Sequence, residues 1–336
     1  MNKQLTIAFH VYNFSYRGTE ISLYDYADKN ETILKNKSFI VAPKSKDDRN
    51  NVDVIIKFTN RFNIFLYKDY DDLKNILKNQ KANALYIIKS GEKDQLSDNL
   101  TNSIPLLIHC VYRVSDPHGL IYAGVSEEVV KNSKFDFVPH MTTLCSYSEK
   151  KLNNKMIDLR TILKIPKKAI VFGRHGGIDT FNLPNLKELI LKILTDDENI
   201  HFMFMPKPYI LYNTNHPRIH YFQISIDPLI KISFINSCDA MIHCQQLGES
   251  FGLSVLEFSS MNKPVITWSQ GIMRQHLLNL GDKGILYNTM EDLYKILINF
   301  KRKDYNKGEN YWNVTTKFID VNVMEKFNNI FLKYLF

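Results

Sequence analysis

Two α/β halves, each a parallel sheet covered by helices, are what the chain predicts, and three observations carry that expectation. Short apolar strands alternate with helical stretches from the first residues. The pattern fades into a polar stretch near the middle and then starts again. At 336 residues the chain is also too long for one ordinary domain and suits two of about 150 each. Hydrophobic residues make up 44% and charged residues 23%, the balance of a folded chain rather than a disordered one.

Residues 5–12 form the first apolar strand. A turn through Arg17 and Gly18 follows, and Thr19 is placed to cap the next helix. Strands are expected at 38–42, 64–67, 84–88, 105–110, 120–125 and 137–139, with the clearest helix at 71–79 and Ser126 capping another. After Met141 the apolar pattern weakens, which places domain limits at 1–145 and 146–318, with 319–336 as a closing helix. The second half repeats the scheme. A strand at 169–172 leaves through Gly173-Arg174-His175-Gly176-Gly177, and a helix runs to about 194. A strand at 201–205 leaves through Pro206-Lys207, and another lies at 219–222. A helix at 228–236 leads to a strand at 240–244. Beyond it come a helix from 253, a strand at 265–268, a helix at 271–280, a strand at 284–286 and a helix at 290–300.

Chemistry concentrates at residues 248–257, between the strand at 240–244 and its helix. Gly248 and Gly252 would let the backbone approach a ligand at the helix start. Unpaired amides and the positive end of the helix dipole there favour an anion such as a diphosphate. Glu249 precedes the helix and Glu257 lies one turn inside it, in line with Leu253. Ionised carboxylates accept from two hydroxyls at once, which suits a sugar or a ribose. Acidic residues near helix starts also complement the dipole, so each residue alone has a plainer reading. Arg174, in its glycine-rich exit, is a planar clamp for a diphosphate.

Taken whole, Glu249-Ser250-Phe251-Gly252-Leu253, then Glu257, then Lys263-Pro264-Val265-Ile266-Thr267 resembles the signature of retaining glycosyltransferase family 4. That resemblance implies the GT-B fold, two Rossmann-like domains facing a cleft with the last helix crossing back to the first. It implies that Glu249 contacts the donor sugar, that the Gly252 and Leu253 amides face sugar and diphosphate, and that Glu257 holds the ribose; Gly248, Ser250 and Phe251, in the same loop, are further donor-binding candidates. Gly18, in Gly18-Thr19-Glu20, is similar to the family's first loop beside the donor phosphates. Gly173-Arg174 matches its second phosphate loop, and His109, ending a strand, matches a histidine in contact with the donor sugar. The family's usual lysine after the Gly-Arg is missing. Lys207 is the nearest strand-exit lysine that could take its place.

Transfer of a sugar from a nucleoside-diphosphate sugar to a glycan, lipid or protein acceptor is therefore expected, with retention and without a metal or cofactor. A GT-B sugar-nucleotide epimerase and a non-catalytic nucleotide-sugar binder are the alternatives. Asp69-Tyr70-Asp71-Asp72 follows a strand as a manganese-binding Asp-x-Asp does in the other glycosyltransferase fold; it reads instead as the acidic first turn of a helix. The net charge of +8 (43 Lys and Arg against 35 Asp and Glu) permits an anionic ligand or a weak attraction to an acidic membrane surface. It falls short of a nucleic-acid footprint. No apolar run reaches the ~20 residues that span a bilayer, and no signal peptide is visible. Four scattered cysteines read as reduced thiols, so a cytoplasmic location, with at most peripheral membrane contact, is expected.

Overall fold

The computed structural model describes residues 4–44, 49–146 and 156–335. The chain divides into two compact units, Met1–Met141 with Lys317–Phe336, and Thr142–Thr316. Residues 147–155, part of the polar stretch expected to hold the boundary, lie outside the described residues.

The first unit is built on six parallel strands, β1 (Thr6–His10), β2 (Lys37–Pro43), β3 (Ile64–Tyr67), β4 (Ala84–Lys89), β5 (Leu106–Cys110) and β6 (Ile121–Gly124), in the order β3-β2-β1-β4-β5-β6. Strands β1, β4 and β5 are buried almost throughout, so they read as continuous apolar runs rather than alternating ones. The expected strand at 137–139 is reduced to a single bridge between Phe137 and Gly124. The helix expected from Thr19 begins at Gly18 with Arg17 as its cap. Thr19 is already inside the first turn, where its hydroxyl donates to Glu20. Asp69 caps the Tyr70–Asn79 helix by accepting from the Asp72 amide, and Asp71 pairs with Lys74. The acidic run thus serves a helix start.

Helix Val52–Thr59 was not expected, because Val52, Val54, Ile55 and Ile56 favour strand. Packing decides otherwise: Val54 and Phe58, four apart, are both buried, and Phe58 meets Phe14 and Tyr24 edge-on. The closing helix Asp320–Phe327 belongs to this unit. Phe327 stacks on Tyr26 at 5.1 Å, and Phe331 meets Tyr86 at 5.4 Å. The return of the last segment to the first unit follows from these aromatic contacts.

The second unit repeats the architecture with β7 (Ile170–His175), β8 (Ile200–Met205), β9 (Ile219–Tyr221), β10 (Ala240–His243), β12 (Val265–Trp268) and β14 (Gly284–Tyr287), ordered β14-β12-β10-β7-β8-β9 and all parallel. Two two-residue strands, β11 (Gly248–Glu249) and β13 (Met273–Arg274), pair outside the main sheet. Strand β13 occupies part of the helix expected at 271–280, which starts only at Gln275. Helices pack on both faces, giving one core around Phe172, Phe202 and Phe204 and a second around Phe234, Met241 and Phe258. In each unit the first strand sits in the middle. Its successors run outward on one side before the chain returns to the other, which leaves a switch point between β1 and β4 and between β7 and β10. Ligands of open parallel sheets bind outside the carboxyl ends of the strands at such a point. Among the described residues no helix is long and apolar enough to cross a membrane.

Candidate functional site

At the switch point of the second unit, β7 ends in Arg174 and His175 and β10 ends in His243. Arg174 is 2% exposed, so its charge is taken out of water. One guanidinium nitrogen, Nη2, donates to the Gly177 carbonyl and to Thr180 Oγ1, which wraps the glycine-rich exit round the side chain. The other, Nη1, is buried with no hydrogen-bond partner among the described residues. Burial pulls the guanidinium down to about 10, against the pull of Glu249, and leaves it charged at neutral pH. An unsatisfied buried cationic donor is costly unless something else meets it.

Gly252 in the left-handed region (φ 87°) turns the chain into helix Leu253–Ser260, and no side chain caps that helix start. The eight-residue helix offers its first amides and dipole uncapped. A Cβ on Gly252 would lie 2.8 Å from His276 Cβ, and one on Gly248 would lie 2.0 Å from the Met273 carbonyl oxygen. Both glycines therefore allow the close approach of this loop to residues 273–276. A Cβ on Gly173 would meet Cys238 Sγ at 2.2 Å, so packing inside the sheet requires a glycine there. Phe251 is 4% exposed and its carbonyl accepts from Asn279 Nδ2 at 2.8 Å, so its ring belongs to the core. Ser250 and Leu253 remain partly exposed at the turn.

The two acidic residues have different surroundings. Glu249 is half-buried, and His243 Nε2 approaches its Oε1 at 3.2 Å while His243 Nδ1 lies 2.8 Å from Thr267 Oγ1. A carboxylate only accepts, so Nε2 carries the proton toward Glu249 and Nδ1 accepts from the threonine hydroxyl. Glu257 is 5% exposed. Its Oε1 accepts from Lys231 Nζ at 2.9 Å, and its Oε2 lies 3.0 Å from His175 Nε2, off the line of a good hydrogen bond. Burial opposes ionisation here, but Lys231 and His175 outweigh it and hold the Glu257 carboxyl down to about 2.

Lys207 and His109 each have partners of their own. Lys207 donates to the Thr214 carbonyl at 3.1 Å and lies over the Tyr221 ring at 4.3 Å; among the described residues no contact joins it to Arg174. His109 is fully buried in the first unit, with Nδ1 2.6 Å from the Tyr86 hydroxyl and Nε2 2.9 Å from the Val138 carbonyl. Both nitrogens have partners within the unit, and burial lowers the His109 pKa to about 4. Gly18 is exposed at the exit of β1 in the same unit.

The sequence reading missed His175, Lys231 and His243. Lys231 had a visible signal, a single charge in Leu229-Ile230-Lys231-Ile232-Ser233-Phe234-Ile235, because a cation in so apolar a helix needs a buried partner. Among the described residues no trio of His, Cys, Asp or Glu is placed to hold a metal ion.

Neither protein-family models nor curated proteins match the sequence. Solved structures do resemble the fold. HepE from Anabaena, in complex with UDP and glucose, is 12% identical with a TM-score of 0.63, covering 98% of this chain and 96% of its own. A glycosyltransferase from Rickettsia africae is 14% identical with a TM-score of 0.63, covering 99% and 96%. UDP-GlcNAc 2-epimerase from Neisseria meningitidis, bound to UDP-GlcNAc, is 12% identical with a TM-score of 0.64, covering 98% and 100%. The likeness spans both units, and the chain has the fold of these proteins: GT-B, two Rossmann-like α/β units built on parallel sheets.

Proposed function

We propose that this protein is a glycosyltransferase that moves a sugar from a nucleoside-diphosphate sugar to a hydroxyl of a glycan, lipid or protein, with retention and without a metal. One observation supports the reading: Arg174, buried at the end of β7 with no hydrogen-bond partner for Nη1 among the described residues, interacts electrostatically with Glu249, which lies just before a helix start that no side chain caps. That pair is complementary to an anion whose negative charge grows, which is what a departing diphosphate is. The bond from the anomeric carbon to the diphosphate breaks with its electron pair going to phosphate. The acceptor oxygen bonds to the same face of that carbon, and its proton passes to the leaving phosphate. Glu249, held by His243, accepts from donor-sugar hydroxyls, and Glu257 accepts from ribose. The UDP and UDP-sugar complexes of similarly folded proteins make uridine the first base to test.

Those neighbours also include an epimerase, which would use the same grip on the diphosphate. One experiment separates the readings. The protein is screened by thermal shift against UDP, GDP and their sugars, and the stabilising donor is followed by NMR with and without an acceptor mixture in EDTA. A ligand that binds only the folded chain raises the melting point, by about 2.7 kcal/mol of stability at a hundredfold excess over Kd. Sugar appearing on an acceptor in EDTA is the expected outcome. Inversion of a ring carbon in donor alone points to the epimerase, and no shift with any nucleotide removes both.

A further inference from the structure

Glu257, Lys231 and His175 form a charged cluster deep in the second unit, and nothing in the diphosphate grip requires it. All three are buried, at 5%, 8% and 6% exposure. They come from three elements: Glu257 from helix Leu253–Ser260, Lys231 from helix Pro228–Ser237 and His175 from the end of β7. Aromatic packing fixes the imidazole. It stacks on Phe258 at 5.5 Å, the residue after Glu257, and meets Phe234 edge-on at 6.5 Å, on the helix that carries Lys231. A salt bridge this deep costs desolvation that a well-packed apolar pair would not, so stability alone does not account for it.

We infer that Lys231 and His175 are positioning residues that hold Glu257 as an ionised, oriented acceptor, and that this makes the site selective for ribonucleotides over their 2′-deoxy counterparts. The inference rests on the nucleotide reading above and deepens it. Each carboxylate oxygen can accept more than one hydrogen bond, and here each is met by one partner from within the protein, which leaves acceptor capacity for the two hydroxyls of a ribose. A vicinal diol presents two donors that a carboxylate meets with both oxygens, and a 2′-deoxy sugar presents one. Lys231 acts on the carboxylate and not on the phosphates, so losing it should spare the diphosphate end of the ligand.

The test is calorimetric titration of the full chain with UDP, GDP, their 2′-deoxy counterparts and inorganic pyrophosphate, on the wild type, Lys231→Met, Lys231→Arg and Glu257→Gln. Wild type should bind the ribonucleotide about tenfold or more tighter than the deoxy form, the worth of a hydrogen bond to a charged group. In Lys231→Met and Glu257→Gln that ratio should fall toward one, with pyrophosphate binding unchanged, and Lys231→Arg should restore it. A purely structural ion pair would lower the melting point and leave the ratio intact, which overturns the inference. So does a Lys231→Met protein that loses pyrophosphate affinity while keeping the ratio, since Lys231 is then a phosphate contact. Absence of nucleotide binding in the wild type would instead strike the nucleotide reading itself. Should Lys231→Met fail to fold, Glu257→Gln, which keeps the side-chain volume, decides by the same ratio.

Discussion

Arg174→Met is the substitution that bears most directly on the proposed chemistry. Methionine keeps much of the buried stem and deletes the guanidinium. In the folded chain Nη2 is already spent on Gly177 and Thr180, and Nη1 is the donor without a partner. If a phosphate oxygen is that partner, the lost interaction is a hydrogen bond to a charged group, worth about 1.5–3 kcal/mol, or roughly a tenfold to hundredfold rise in Kd for UDP. Charge on the leaving phosphate grows toward the transition state, so kcat/KM should drop further, by roughly a hundredfold to a thousandfold. Titrations with UDP and with uridine separate this from a general disturbance of the loop, because uridine lacks the diphosphate. Thr180→Val is the control: it removes one anchor of the loop while leaving Nη1 in place, and should shift UDP affinity by less than a factor of about three. The reasoning fails if uridine and UDP lose affinity equally, or if Arg174→Met binds UDP as wild type does.

Two further expectations concern Gly173 and His109, whose packing the structure shows. Gly173→Ala places a Cβ 2.2 Å from Cys238 Sγ and should destabilise by about 1–3 kcal/mol; Cys238→Ala in the same chain should recover most of that, and nucleotide affinity of the folded protein should not change. Reduced affinity without lost stability would return Gly173 to the phosphate loop. Stability should also decline in acid. His109 is buried with its pKa lowered to about 4, so between pH 6.5 and 4 the unfolded chain takes up a proton that the folded chain does not. Its contribution is present above pH 6.5 and lost as pH falls, about 2 kcal/mol by pH 5. Glu257, held at about 2, acts in the same direction below its unfolded pKa near 4.5. Urea midpoints measured from pH 7.5 to 5 check the slope, and His109→Leu should flatten part of it while leaving kcat/KM of the folded enzyme unchanged. A flat profile would contradict the burial on which the structural role of His109 rests.

The alternation of elements was legible because parallel strands buried on both faces, such as Ala84–Lys89 and Ile200–Met205, write themselves as unbroken apolar runs. Helix Val52–Thr59 was not legible, since its β-branched residues argue for strand and only its packing through Val54 and Phe58 decides for helix. The pairing of β11 with β13 was hidden for a different reason. Gly248 and Met273 are distant in sequence, and a two-residue strand has no period to read. The same pairing explains why residue 248 has no room for a Cβ beside the Met273 carbonyl.

The candidate site shows where such reading stops. Glu249, Glu257 and Arg174 were visible because each sits in a stretch with several unusual residues together. His243, His175 and Lys231 sit singly in apolar runs, and only the fold brings them to the carboxylates. This difference has a physical basis. Residues that face a ligand must leave the apolar pattern of their element, which marks them locally. Residues that orient them from behind must fit inside that pattern, stem and all, with only the terminal atoms polar. Lys231 meets that requirement through a long aliphatic stem, and His175 through a flat ring stacked on Phe258. A second layer of this kind leaves little trace in sequence spacing, yet it sets whether Glu257 presents two fixed acceptors or a mobile charge. On the proposed nucleotide reading, the layer behind the carboxylates, more than the carboxylates themselves, is where discrimination between one nucleotide and its near relatives is built.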